Sequence, residues 1–326
     1  MFPFHLGIDI SKDSFDVALL GGPQRYSGQF SNDRAGFKKL ARWLKKRKAE
    51  EVHVCMEATG RYWEELALFL TDEGYAVSVV NPKLIKRHGE ATMQRNKTDK
   101  QDAVTIADYC LKQQPDLWVP PSPAYRQLKE MVRHVTALKA DRQRERNRLQ
   151  SGLSTADVTT AIEAHIAFLD DQIEQLEQQI HDQIDQDPEL KADKELLKSI
   201  PGVGDTIAAT FLAEIGDVGL FAQADQVAAF AGLTPGERSS GTSINRPGRL
   251  VKWGNAHLRA VFFMPALSAH RWNPIIARLR QRLEARGKSK MTVAVACMRK
   301  LLHLCFGVLK TRKPFDPNHV VNVQIA

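Results

Sequence analysis

Cysteine is scarce. The 326 residues hold four (Cys55, Cys110, Cys297 and Cys305), with no CxxC pair and no zinc-ligand spacing. A disulfide framework and a structural zinc cluster are both excluded, and the four read as reduced core thiols of a cytoplasmic protein. No GxGxxG follows the first apolar strand, which argues against a dinucleotide-binding domain. No basic stretch followed by an apolar one opens the chain, so no secretory signal is expected. The most apolar late run, MTVAVACMRKLLHLCFGVL (291–309), is broken by Arg299, Lys300 and His303. It reads as a buried helix with a basic edge, and no membrane partner is expected.

Charge of one sign is missing from one segment and nearly so from another. Between Leu149 and Leu190 there is no Lys or Arg, whereas from Arg238 to Lys313 there are 17 Lys and Arg against one acid, Glu284. Arg126 to Arg148 adds eight basic residues against three acidic ones. A solvated surface ordinarily mixes signs, so this layout, with a net charge of +8 and a pI near 9.3, implies a polyanionic partner.

The first third alternates strand and helix. FHLGIDI (4–10) puts Phe4, Leu6, Ile8 and Ile10 on one side and Asp9 on the other. FDVALLG and RYSGQF (25–30) follow as strands, and Asn32 or Asp33 caps a helix running to about Arg47. EVHVCME (51–57), the helix GRYWEELALFLTDEG, AVSVVN (76–81) and a helix starting at Thr98 complete the series. This is the element order of the α/β ribonuclease H-like fold.

WVPPSP (118–123) breaks the pattern, giving domains at 1–122, 123–190 and 191–326. The middle one opens with a basic helix, about 124–150, in which Arg133, Arg142 and Arg146 are candidate nucleic-acid contacts. Ile162, Ile166, Leu169, Ile173, Leu176 and Ile180 then form a heptad seam, either a coiled coil pairing subunits or a hairpin with the preceding helix. The last domain is expected to be mainly α-helical. It opens with LLKSIPGVGDTIAATFLAEIG (196–216), a helix-hairpin-helix pattern whose Gly202 and Gly204 would let the backbone approach a phosphate.

RNKTDKQDA (95–103) carries the chemistry. Thr98 and Gln101 make a capping box, and Asp99 and Asp102 fall one turn apart on one face. Asp9 and Glu57 end apolar strands that this element order makes neighbours. Four converging carboxylates repel unless cations hold them, and hard oxygen donors suit Mg²⁺ or Mn²⁺, two of which can serve phosphodiester chemistry.

GIDISKDSFDVAL, CMEATGRYWE and NPKLIKRHGEATMQRNKTDKQDA resemble the DEDD motifs of a bacterial insertion-sequence transposase family with a RuvC-like N-terminal domain. SIPGVGDTIAATFLAEIGD, AAFAGLTPGERSSGTS and KWGNAHLRAVFFMPAL match its C-terminal transposase domain, so the resemblance covers nearly the whole chain. It implies an acidic tetrad at Asp9, Glu57, Asp99 and Asp102 and a nucleophilic serine at Ser240. Ser239 stands immediately before it as an alternative, and Ser243 supports. It further implies cutting and rejoining of donor and target double-stranded DNA through a serine–phosphate ester. The family's best-characterised members are directed by a structured guide RNA, the bridge RNA, and their acids and serine come from different subunits of a dimer or tetramer. Arg238, Arg246 and Arg249 flank the serine, and they, with Lys252 and Arg259, are candidate phosphate contacts. Two other readings stay open: a RuvC-type metal-dependent endonuclease without a covalent intermediate, and a non-catalytic nucleic-acid-binding scaffold.

Overall fold

The computed structural model describes residues 2–22, 24–92, 99–152, 155–240, 244–250 and 254–318, with backbone alone at 99, 237–240 and 244–249. The chain divides into two compact units, 1–120 and 121–326.

The first unit contains β1 (Phe4–Ile10), β2 (Ser14–Leu20), β3 (Tyr26–Ser31), α1 (Arg34–Lys46), β4 (Val52–Glu57), α2 (Glu64–Asp72), β5 (Ala76–Val80), α3 (Pro82–Ala91) and α4 (Asp99–Gln113). The sheet order is β3-β2-β1-β4-β5, with β1 antiparallel to β2 and parallel to β4. Strands one and four are neighbours, as the element order requires. On one face Leu6, Ile8, Phe15, Val17, Val54 and Met56 pack with Phe37, Leu40 and Leu44 of α1 and Leu66 and Leu70 of α2. Asp33 caps α1 by accepting from the Gly36 N–H at 2.7 Å. The opposite face carries α4.

Gly7 is what lets α4 lie so close. A Cβ there would come within 2.2 Å of both the Ala103 carbonyl oxygen and the Ala107 nitrogen. Helix α3 was not expected from the sequence, although Asn81 followed by Pro82 is a strong helix start. Asn81 accepts from the Lys83 N–H at 3.0 Å.

The second unit contains α5 (Pro123–Gln150), α6 (Ala156–Gln186), α7 (Pro188–Lys198), α8 (Asp205–Ile215), α9 (Ala224–Phe230), β6 (Pro235–Ser240), β7 (Ile244–Leu250), α10 (Ala256–Ser268), α11 (Pro274–Ala285) and α12 (Lys290–Thr311). One core joins Val132 and Val135 of α5, Ile173 and Ile180 of α6, Phe211 and Leu212 of α8, Phe262 of α10 and Leu301, Leu302 and Phe306 of α12. Helix α12 is long and apolar enough to cross a membrane by composition, but ten of its residues are buried in this unit. It is a core helix.

The heptad seam does not face outward. Ile162, Leu169, Ile173 and Ile180 are at most 7% exposed, and α6 packs antiparallel on α5. Lys139 meets Glu177 at 2.5 Å, and Asp170 receives both Arg142 and, at 3.2 Å, Arg146. The acidic helix and the basic helix therefore pack on one another within the chain and pair some of their charges, which corrects the reading of this seam as a surface for pairing subunits. Pairs this exposed are screened by solvent and contribute little. The apolar seam supplies most of the stability.

Candidate functional site

Side chains alternate across a strand, so Gly7 fixes which way Asp9 points. Gly7 faces α4, and Asp9, two residues on, shares that face. In β4, Cys55 packs with Ile106 and Cys110 of α4, so Glu57 faces α4 too. Cys110 Sγ donates to the His53 carbonyl oxygen at 3.5 Å, while Gly7 lies against Ala103 and Ala107. Moving up the strands therefore means moving down the helix towards Asp102. The β1–β4 register runs to Ile8 opposite Met56, which sets Asp9 and Glu57 level at the next step. The backbone thus directs Asp9, Glu57 and Asp102 towards the same end of the sheet. Asp99 is the first residue of α4, and its side chain and Thr98 lie outside the described residues.

Glu57 Oε1 accepts from Thr59 Oγ1 at 2.5 Å. Directly opposite Asp9 in the register stands Asp16, 5% exposed and held by the Gln29 amide at 3.0 Å. Its strand places it on the α4 face with Ala18. Asp16 was not singled out in the sequence: the alternation of SFDVALL puts it on the side away from Phe15, Val17 and Leu19, and only the packing of α4 shows that this side is covered. Among the described residues no three His, Cys, Asp or Glu side chains are gathered closely enough to hold an ion. The donors that share this end are carboxylate oxygens, which fit Mg²⁺ or Mn²⁺ in type.

The serine segment is a hairpin in an otherwise helical unit. Ser239 and Ser240 end β6, where Ser239 is opposite Asn245 and Ser240 opposite Ile244. Arg238 is opposite Arg246, and Gly236 opposite Arg249. The side chains of these residues, with Ser243 and Lys252, lie outside the described ones. A hairpin was not expected here because its strands, PGERSS and INRPGRL, show little apolar alternation.

Both feet of that hairpin are tied down. Asn255 donates its backbone N–H to the Phe230 carbonyl at 2.7 Å, and Arg259 reaches the Ala231 carbonyl at 2.9 Å. Asn255 Oδ1 caps α10 at the Leu258 N–H, 3.1 Å, while its Nδ2 donates to Glu214 Oε2 at 2.6 Å. The Glu214 side chain is fully buried and takes a two-pronged bond from Arg133, at 2.7 and 2.9 Å. Burial pushes the Glu214 carboxyl up, but the Arg133 fork and the Asn255 amide outweigh it and hold the group below its ordinary range.

The candidate phosphate contacts divide. Arg133 is committed to Glu214, Arg142 and Arg146 to Asp170, and Arg259 to the hairpin foot. The SIPGVG stretch connects α7, which ends at Lys198, to α8, which starts at Asp205. Gly202, at φ +101°, turns inward, where a Cβ would meet Ala269 Cβ at 2.9 Å, whereas Gly204 is exposed at the start of α8. Around α11, the cations that face solvent are Arg271, Arg278, Arg282, Arg286, Lys288 and Lys290. They were counted in the sequence but not named as contacts.

Two family models match the chain. One, for transposases of the IS110 DEDD type, covers residues 6–156, and one described as "Transposase IS116/IS110/IS902 family" covers 194–281. The pilin gene-inverting protein of Moraxella bovis is 35% identical over 316 residues, 96% of this chain and 97% of its own length. Its counterpart from Moraxella lacunata matches to the same extent. The transposase for insertion sequence element IS1111A of Coxiella burnetii is 35% identical over 123 residues, 34% of each chain. Two domain matches and two near-full-length relatives lead to one conclusion: the chain belongs to the IS110/IS116/IS902 family of transposases, enzymes of DNA recombination.

Proposed function

We propose that this chain cuts and rejoins double-stranded DNA through a covalent Ser240–phosphate ester, assisted by Asp9, Glu57, Asp99 and Asp102 as holders of Mg²⁺ or Mn²⁺. The observation that carries the reading is the common heading of Asp9 and Glu57, set level on adjacent parallel strands beneath α4. Their near neighbour Asp16 adds to a negative field that a divalent cation would relieve. When bound, the metal would neutralise phosphate charge and favour the attacking and leaving oxygens.

Ser240 Oγ would attack the scissile phosphorus, forming the Ser–O–P bond as the P–O bond to the departing strand breaks and that oxygen takes a proton. The phosphodiester energy is retained in the ester, so a second DNA hydroxyl can displace the serine without ATP. Arg238, Arg246 and Arg249, carried on the same hairpin, would stabilise the alkoxide and the charged phosphate. Ser239 is the alternative nucleophile, and Ser243 a supporting group. Lys252, Gly204 and the exposed cations around α11 would track the DNA backbone, while Gly202, turned inward, would shape the turn that presents Gly204.

Site choice by a guide RNA and action as a homo-oligomer belong to the same proposal and rest on the family resemblance, and a cytoplasmic setting, also proposed, rests on the four free, buried cysteines. The pilin gene-inverting relatives are named for an inversion, which is also strand exchange.

A plasmid carrying the coding sequence with both flanks, RNA transcribed from those flanks and Mg²⁺ provide the test. A protein–DNA adduct that persists in Ser239→Ala and disappears in Ser240→Ala and Asp102→Asn is expected. Cleavage to free ends, with no adduct and no effect of either serine change, would favour the metal-dependent endonuclease. Binding with no metal-dependent reaction would leave a scaffold.

A further inference from the structure

Helix α8 buries a carboxylate that the proposed chemistry does not use. Glu214 is 81 residues from its Arg133 partner and 41 from Asn255, yet these two partly buried side chains both reach its fully buried carboxylate. A buried ion pair is rarely the cheapest way to fill a core, because apolar residues of similar volume often stabilise as much or more. What this one offers instead is direction. Asn255 follows shortly after Leu250, the last residue of the hairpin's second strand. Its backbone and its neighbours clamp the segment that feeds the first strand. Gly254 supports the same clamp: a Cβ there would lie 2.4 Å from the Phe230 carbonyl oxygen and 2.5 Å from the Gly232 nitrogen. Shortly beyond Leu233 the chain enters β6, and Pro235 pairs with Leu250 across the hairpin base. Glu214 thus grips the outgoing foot, Arg259 and Asn255 tie it to the incoming foot, and Arg133 fixes Glu214 to α5.

We infer that Glu214, Arg133 and Asn255 are positioning residues that set the serine hairpin for attack, acting on the covalent step and not on DNA capture. The inference rests on the proposed serine chemistry. The hairpin is a two-stranded ribbon, marginally stable by itself, so its orientation must come from its feet. Asn255 is suited to the task because one side chain caps α10 with its oxygen and holds Glu214 with its nitrogen. Glu214 and Arg133 touch no reacting atom in this scheme.

Asn255→Asp separates these roles. The new carboxylate still caps α10, but it sets an acid against Glu214 where a hydrogen bond stood. Adding Glu214→Gln removes the like charge: the introduced amide can donate to the introduced carboxylate while its carbonyl oxygen keeps one Arg133 hydrogen bond, so the cluster again holds a single acid although the Arg133 fork is lost. The full-length protein is assayed on the flank-bearing plasmid with its RNA and Mg²⁺, at saturating DNA, with DNA affinity and thermal unfolding measured in parallel.

The expected result is an adduct rate about tenfold to a hundredfold lower in Asn255→Asp, since displacements near 1 Å at a reacting centre cost that much. DNA affinity should stay within about twofold of wild type, and the double variant should recover part of the rate, since it removes the acid–acid contact but not the loss of the fork. If Asn255→Asp unfolds at the assay temperature, Arg133→Lys, which keeps the charge and loses the fork, is scored in its place by the same rate and affinity criteria. Wild-type rates in the folded single variants would overturn the inference, as would an affinity loss equal to the rate loss or a folded double variant with no recovery. A wild-type protein that forms no Ser240-dependent adduct would instead remove the serine reading itself, and this inference with it.

Discussion

Gly7→Ala is a one-carbon change with a calculable consequence. The added Cβ would sit 2.2 Å from backbone atoms of both Ala103 and Ala107, where an ordinary contact is about 3.4 Å or more. Neither obstacle is a flexible side-chain end, so helix α4 must retreat by about 1 Å or β1 must bend. Overpacking of this kind costs about 1–3 kcal/mol. The same displacement moves Asp102, which precedes Ala103 in the chain, away from Asp9 and Glu57. A shift of about 1 Å at a reacting centre costs about 10²-fold in rate. Urea unfolding of the full chain and hydrogen exchange in α4 would read the first effect, and metal-dependent reaction of the flank-bearing plasmid the second. Both should fall together. A Gly7→Ala protein with wild-type exchange in α4 and wild-type activity would refute the claim that this close approach positions the carboxylates.

Gly202→Ala combines a left-handed backbone with a 2.9 Å approach to Ala269, and should lower unfolding free energy by about 1–3 kcal/mol in urea titration. Asp170→Ala should leave the urea midpoint nearly unchanged despite its two arginine partners, because the pairs are partly solvated. Glu214 is held below its ordinary range when folded, so its contribution is full above the unfolded carboxylate range and is lost as pH falls through the folded value. Acid unfolding of Glu214→Gln should therefore show a shallower loss of stability with falling pH than wild type. Arg282→Glu with Arg286→Glu should weaken DNA binding and flatten its salt dependence by about one counterion for each phosphate these arginines neutralise. An unchanged slope would remove this face from the DNA interface.

Much of the first unit was legible because its strands obey a two-residue period. Asp9 and Glu57 stand out as acids at the ends of FHLGIDI and EVHVCME, and their neighbouring strands follow from element order. Asp16 escaped because an acid within an alternating strand looks like an ordinary solvated position until α4 is seen to cover that face. Helix α3 escaped because its buried apolar side is limited to Ile85, which leaves no periodicity to detect. In the second unit, counting charge located basic segments but not their partners. Arg133 looked like a phosphate hook, yet its counter-ion comes from α8, a pairing only the packed core brings about. The seam of α6 was visible as a seam, while the occupant on its far side, α5, was one of two open choices. Short polar hairpins carry the weakest signal of all, and β6–β7 is of that kind.

The central claim is a covalent bond between Ser240 and DNA. The measurement that tests it most directly is mass spectrometry of the nuclease- and protease-digested adduct formed on the flank-bearing plasmid, with fragmentation across residues 239–243. A nucleotide phosphate on Ser240, absent when Asp102 is replaced by Asn, is the predicted result. Phosphate on Ser239 or Ser243, or DNA cut to completion with every serine unmodified, would contradict it.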